Sequence, residues 1–460
     1  MIRPAVTLMV VLALPLRSQE LPAAQRATID SAVRAVLAST GAPSASIAVV
    51  RDAKIVYSQA YGSARLSPTT AATPAMRYSI GSISKQFTAT AILLLAEEGK
   101  LSLDDKVAKW LPQLTRANEV SIRQILSMTS GYQDYWPQDY VMPNMLKPVT
   151  ADAILGEWAK KPLDFEPGTK WQYSNTNYVI AGQIVEKVSG MRLLDFLKKR
   201  VFGPLQMQSI ADVDAAPLGA ADAAGYMRYA GGPLHPAPKE GAGWLQAAGE
   251  LAMTARDLAT WDISVITQSV LKPASYKTMQ TDMLLTNGLG TRYGLGVSVN
   301  PGGGHRQISH GGEVSGYTAR NDIYPDDRMA VVALVNMDAT GAPSQIAGRI
   351  ASILSATTDA GSKQALEQAK QIFAGLQHGK VDRALFSDNA NAYFSATAIA
   401  DFASTLGALG AATTFVQTSQ GLRGGMVLRA FHIECGKQSL ELTTFTLPNG
   451  KLEQYQIARD

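Results

Sequence analysis

A serine and a lysine three residues apart, Ser82 and Lys85, stand just ahead of an apolar run at residues 89–96, and no other stretch constrains the chain as much. At the start of a helix, that spacing stacks the two side chains on one face, one turn apart. The lysine amine then reaches the serine hydroxyl. A hydroxyl is a weak nucleophile until a neighbouring base takes its proton. Partial positive charge at a helix N-terminus favours the negative charge that develops on an attacked carbonyl. The turn makes the chain a candidate for acyl transfer. Alone the pattern is weak, because Ser269 and Lys272 repeat it. That copy precedes Pro273 with no glycine turn ahead of it, and is expected to be surface helix.

Two further segments supply partners. Trp171-Gln-Tyr173-Ser174-Asn175 follows a Pro167-Gly168 turn and precedes an apolar helical pattern at 179–188. Tyr173 brings a phenol that can serve as general base if a nearby ammonium lowers its pKa. Asn175 brings an amide able to bind a substrate carbonyl or to position Lys85. Later, Ser309-His310-Gly311-Gly312-Glu313 lies between two strand-like runs. Its glycines permit close backbone approach and leave N–H groups free as oxyanion donors.

Together these elements resemble the serine hydrolase family of class C β-lactamases, penicillin-binding DD-peptidases and related esterases. The resemblance covers roughly residues 25–355 and rests on Ser82-x-x-Lys85, Tyr173-x-Asn175 and His310-x-Gly312 in that order. Leu101-Ser-Leu-Asp-Asp105, Ser121-Ile-Arg-Gln-Ile-Leu-Ser-Met-Thr-Ser-Gly131, Phe165-Glu-Pro-Gly-Thr169 and Thr254-Ala-Arg-Asp-Leu258 match as well. Several ordered motifs are far harder to meet by chance than one. The resemblance implies an α/β (α+β) chain with a penicilloyl-serine-transferase-like fold, an antiparallel sheet with flanking helices and a helical lobe, and Ser82 between them. It also implies roles. Ser82 attacks a carbonyl, and Tyr173 and Lys85 share the work of base and then acid. Asn175, His310 and Gly312 bind substrate. The backbone N–H groups of Ser82 and Glu313 form the oxyanion hole. An acyl-enzyme forms and water resolves it, with no cofactor and no metal.

The departures bear on substrate. Many β-lactamases of this family carry Lys-Thr-Gly where this chain has His310-Gly311-Gly312. Histidine is mostly neutral at pH 7 and Gly311 has no side-chain donor, so the grip on a substrate carboxylate is expected to be weak. An esterase, or a D-amino-acid peptidase or carboxypeptidase, fits better than a true β-lactamase or penicillin-binding protein. A catalytically inert binding or scaffold protein on the same fold is the alternative of another class. Glu250 and Met253 replace the small residues frequent in the family there, which puts the cleft wall in question. The aromatic stretch Gly131-Tyr-Gln-Asp-Tyr-Trp-Pro-Gln-Asp-Tyr140 reads either as a lid over an apolar acyl pocket or as a surface loop packed on the helical lobe.

Composition agrees. The 460 residues are 46% hydrophobic and 17% charged, which suits a globular chain of two to three domains. With a net charge of +4 and no basic stripe, nucleic acid is not an expected partner; a small ester, amide or peptide is. The single cysteine, Cys435, excludes an intrachain disulfide. Residues 6–16 are apolar behind Arg3, too short a run to span a membrane and fitting for a secretory signal peptide. Cleavage after Ser18 would remove Arg3 and Arg17, taking +4 to +2. The expectation is a secreted, periplasmic protein with no integral membrane segment after cleavage.

Residues 19–356 form the expected hydrolase domain. A helix at 24–40, a hairpin of 45–50 and 54–61 turning at Asp52-Ala53, mostly helices at 88–200 and a long Ala/Gly/Pro-rich loop at 213–243 lead to strands at 293–299, 305–310, 314–324 and 329–335. His310 is expected at a strand end, with a glycine turn at 301–304 and a closing helix at 344–356. Residues 357–460 read as helices at 364–377, 381–386 and 397–406, then strands at 413–418, 426–435, 439–446 and 453–457. This resembles a small NTF2-like (SnoaL-like) α+β cone. Relatives of such domains often dimerise, which implies a homodimer through it.

Overall fold

The computed structural model describes residues 20–300, 305–358, 360–436 and 438–459. The expected signal peptide at 1–18 and the glycine turn at 301–304 lie outside them. Among the described residues, no helix is long and apolar enough to cross a membrane.

The larger layer is a seven-stranded antiparallel sheet. Its order is Thr69–Ala71, Lys54–Leu66, Ser44–Arg51, Met329–Val335, Tyr317–Tyr324, Gln307–Val314 and Ser298–Asn300. The first hairpin turns at Asp52 and Ala53, both at positive φ (53° and 56°), the backbone that matches strand twist in a two-residue connection. The central strands are buried on both faces, and alternation sorts their side chains between two cores. Ala45, Ile47, Val49, Val331, Ala333 and Val335 pack beneath the helices Ala23–Thr40 and Ala342–Thr358. Ala48, Val50, Val332 and Leu334 face the helical side, where Trp261 and Phe87 are fully buried. That side holds the helices Ser84–Glu97, Ile122–Leu126, Ala151–Trp158 and Asn175–Ser189.

Three expectations need correction around the site. His310 is not at a strand end: Gln307–Val314 runs unbroken through His310, Gly311 and Gly312, paired to Asn321, Arg320 and Ala319. The glycines mark a close approach instead of a break. A Cβ on Gly312 would lie 1.9 Å from the Ile80 carbonyl oxygen. The strand before it is also shorter than expected, Ser298–Asn300 in place of 293–299. Ser269 and Lys272 are not helical. They sit in an exposed link between Ala255–Thr267, ended by Gln268 at φ 54°, and Pro273–Met279. The left-handed residue stops one helix and the proline starts the next.

Beyond Leu354 a separate apolar cluster runs from Ala369 to Tyr455. It joins the helices Ala360–Gln377 and Ala396–Gly407 to a four-stranded antiparallel meander of Thr414–Arg423, Met426–Cys435, Gln438–Thr446 and Leu452–Arg459. Where a helix is expected at 381–386 there is only the 3₁₀ turn Arg383–Leu385, and a helix not foreseen, Asp388–Tyr393, follows. The side chains of Asp382 and Ser387 each cap a backbone N–H two or three residues on, one opening the 3₁₀ turn and the other the helix after it.

Candidate active site

Ser82 lies in the 3₁₀ turn Gly81–Ile83 that opens into the helix Ser84–Glu97, in which residues 84–95 are all buried. The turn is held from three sides. Tyr78 and Ser79 pair with Met253 and Ala252. The Leu251 carbonyl accepts from the Ile80 N–H at 3.0 Å, and the Leu251 N–H donates to Ser84 Oγ at 3.2 Å. A Cβ on Gly81 would fall 2.8 Å from the Glu313 backbone nitrogen. The N–H of residue 313 therefore lies against the turn that carries the serine, where an oxyanion partner of the Ser82 N–H has to be.

Lys85 is fully buried. Its Nζ has three oxygen partners: Ser82 Oγ at 2.9 Å, Asn175 Oδ1 at 2.8 Å and the Ala248 carbonyl at 2.9 Å. Burial drives its pKa down to about 7, and the Asp134 carboxylate opposes the shift. A neutral amine has two N–H bonds and one lone pair. Asn175 Oδ1 and the Ala248 carbonyl can only accept, so they take the two N–H bonds. The lone pair is then left facing the one partner able to donate, the Ser82 hydroxyl.

Tyr173 stands beside the pair, its ring centroid 4.9 Å from Lys85 Nζ. The condition for a phenolate base is not met: burial pushes the phenol well above its ordinary value, and the neighbouring Ser82 hydroxyl only partly offsets this. At neutral pH Tyr173 keeps its proton while Lys85 sits near its midpoint. In these states Lys85 is able to accept the Ser82 proton and Tyr173 is able to donate one.

His310 is brought to the site but not as a free binding group. Its Nδ1 faces the Gly311 carbonyl at 2.5 Å and its Nε2 faces the Tyr293 hydroxyl at 3.0 Å. That pairing assigns the proton to Nδ1. Burial, with the nearby Lys85 charge, pulls its pKa down to about 3, so it is neutral at pH 7. Gly312 likewise serves by its missing Cβ. Glu250 and Met253 do not line the cleft. Met253 pairs with Tyr78, and burial with the nearby Asp212, Asp214 and Glu186 carboxylates raises the Glu250 pKa.

Asp134 belongs to none of the three motifs, yet it joins the site. Its Oδ1 accepts from the Asn175 N–H at 2.9 Å and from the Trp136 N–H at 3.1 Å, and its Oδ2 lies 3.3 Å from Asn175 Nδ2. The only sequence signal was a carboxylate set among aromatics. Tyr132 and Tyr135 are buried in the helical lobe, as a packed loop requires, while Asp134 through Val141 form one wall of a cleft lined partly by carboxylates. The cleft has a volume of about 910 Å³. Ser82, Tyr173, Asn175, His310, Gly312 and Glu313 all line it. Among the described residues no cluster is arranged to hold a metal ion.

The Beta-lactamase family model matches residues 29–354, and the chain belongs to that family of serine hydrolases. It is 27% identical over 329 residues to a D-aminopeptidase of Brucella anthropi, covering 71% of this chain. The chain spans only 62% of the length of that relative. A D-stereospecific amidohydrolase from Streptomyces sp. has a similar structure, with 26% identity, a TM-score of 0.61, and coverage of 70% of this chain and 96% of that one. An octameric penicillin-binding protein homologue from Pyrococcus abyssi shares the fold over 94% of this chain and 99% of its own, at 22% identity and a TM-score of 0.64.

Two outcomes follow from the geometry. For a substrate with no titrating group, kcat/KM rises with pH through a midpoint near 7 as Lys85 loses its proton, falling about tenfold per unit on the acid side. A flat profile from pH 5 to 9 contradicts the lysine base. Gly312→Ala forces the Gln307–Val314 strand away from Ile80. Overpacking of this kind costs about 1–3 kcal/mol. Thermal unfolding should show the loss of stability, with an acylation rate reduced more than stability alone requires.

Proposed function

We propose that the chain hydrolyses small amides or short peptides that carry a free ammonium on the acyl-side residue, by acylation of Ser82. The observation that carries this is the charge of the cleft. Asp134, Asp139, Glu313 and Asp338 line it, against one lining cation among the described residues, Arg228. Arg228 is itself engaged, donating from Nη2 to the Thr40 carbonyl at 2.6 Å. His310, where a lysine would grip a carboxylate, is neutral with both ring nitrogens used. Such a cleft repels an anionic end and attracts a cationic one. This favours an aminopeptidase or amidase over a carboxypeptidase or a β-lactamase. The D configuration of the acyl residue is taken from the names of the similar D-aminopeptidase and D-stereospecific amidohydrolase.

In the proposed cycle, Ser82 Oγ attacks the amide carbon as its proton passes to Lys85. The oxyanion is held by the N–H groups of Ser82 and Glu313. Tyr173 protonates the leaving amine and regains a proton from the Lys85 ammonium. Neutral Lys85 then takes a proton from the water that attacks the acyl carbon, and returns it to Ser82 Oγ as the acid leaves. Secretion to the periplasm belongs to the same proposal, supported by the apolar run at 6–16. So does an NTF2-like, dimer-forming C-terminal domain, supported by its helices-then-meander order and by Leu422, exposed on its edge strand.

The test compares D-phenylalanine p-nitroanilide with its N-acetyl derivative. Removing the ammonium should lower kcat/KM by roughly tenfold or more, since a charge-assisted contact is lost. Equal rates on the two, or efficient turnover of benzylpenicillin, overturn the assignment. Ser82→Ala should be inert and should not react with a fluorophosphonate.

A further inference from the structure

We infer that Asp134 is a positioning residue that aims the base: by holding the Asn175 amide in one orientation, it turns the lone pair of Lys85 toward Ser82. The inference rests on the acyl-enzyme reading of the site. Asn175 meets Lys85 through one end of its amide and Asp134 through the other. An amide is nearly symmetrical in shape, so only its hydrogen-bond partners decide which end is oxygen. An ionised carboxylate only accepts. It takes both the backbone N–H and the Nδ2 of Asn175, and so turns Oδ1 to Lys85.

The flipped amide has a different consequence. Nδ2 would then donate to Lys85 and occupy its lone pair. The amine could meet Ser82 only by donating an N–H to the hydroxyl oxygen, which leaves the serine proton without an acceptor. The Ala248 carbonyl fixes one N–H of the amine in either case. The choice between an active and an idle lysine thus falls to the Asn175 amide, and through it to Asp134. The Asp134 carboxylate is well prepared for this, since Trp136 and Asn175 backbone N–H groups hold it in place from within its own loop and from the facing helix.

The titratable groups that face Lys85 are Asp134, Tyr173, Tyr178 and His310. Burial raises the Asp134 pKa, and its charge opposes the fall in the Lys85 pKa, so its removal should move the acid limb of reactivity to lower pH. A role confined to holding the loop together would change stability without moving that limb.

The experiment follows the second-order rate of fluorophosphonate labelling of Ser82 against pH, which needs no natural substrate. In Asp134→Asn, the plateau rate should fall by roughly tenfold or more and the midpoint should shift to lower pH. In an Asn175→Ala background, the same change should lower the plateau no further, because the aspartate acts through that amide. A plateau within twofold of wild type, a fall with an unmoved midpoint, or additive losses in the double variant each overturn the inference. Should Asp134→Asn not fold, Asp134→Ser carries the same expected readouts. Folded wild type that takes no label at all would instead sink the acyl-enzyme reading, and is distinct from every outcome above.

Discussion

The site depends on one buried amine. Lys85 has no solvent exposure, and its Nζ is met by one hydroxyl and two oxygens that cannot donate. Burial makes the charged form expensive, so the lysine loses its proton near neutrality. The two pure acceptors then fix where its lone pair points. Much of the helical lobe serves this arrangement. The helix Gln246–Gly249 brings up the Ala248 carbonyl, and Gly182 allows that helix to pack close, since a Cβ there would meet Ala247 Cβ at 2.6 Å. The helix Asn175–Ser189 begins at the residue that supplies the amide.

The same burial separates the roles of two residues that the motif leaves equal. Both Lys85 and Tyr173 are drawn toward their neutral forms. Neutral lysine is a base and neutral tyrosine is an acid, so one low-dielectric pocket prepares both partners of a proton relay at once. His310 is neutralised by the same means. The cleft is lined by carboxylates, Asp134, Asp139, Glu313 and Asp338, and the proposed preference for a substrate ammonium rests on them.

Much of this was legible in the sequence, for identifiable reasons. Ser82 and Lys85 are local neighbours, so helix periodicity alone puts them together. The hairpin turn at Asp52-Ala53 and the strand Met426–Cys435 are likewise set by short-range pattern. Asp134 was not legible, because its partner Asn175 is 41 residues away in the chain and the contact exists only once the helical lobe is packed. The state of Tyr173 was not legible either, since burial is a tertiary property. His310 was misplaced because two glycines look like the end of a strand, whereas here they admit the neighbouring backbone. In the C-terminal layer, the helix expected at 381–386 is only a 3₁₀ turn capped by Asp382, and an unexpected helix starts at the Ser387 cap.

The most direct test of the account is the protonation state of Lys85 itself. Protein labelled with ¹³C at lysine Cε can be titrated by NMR, with the Lys85 signal assigned by its loss in Lys85→Met. The account predicts a midpoint near 7, well apart from the other lysines. A midpoint near the ordinary lysine value of about 10.4 would mean that Lys85 stays an ammonium at working pH and cannot be the base that activates Ser82.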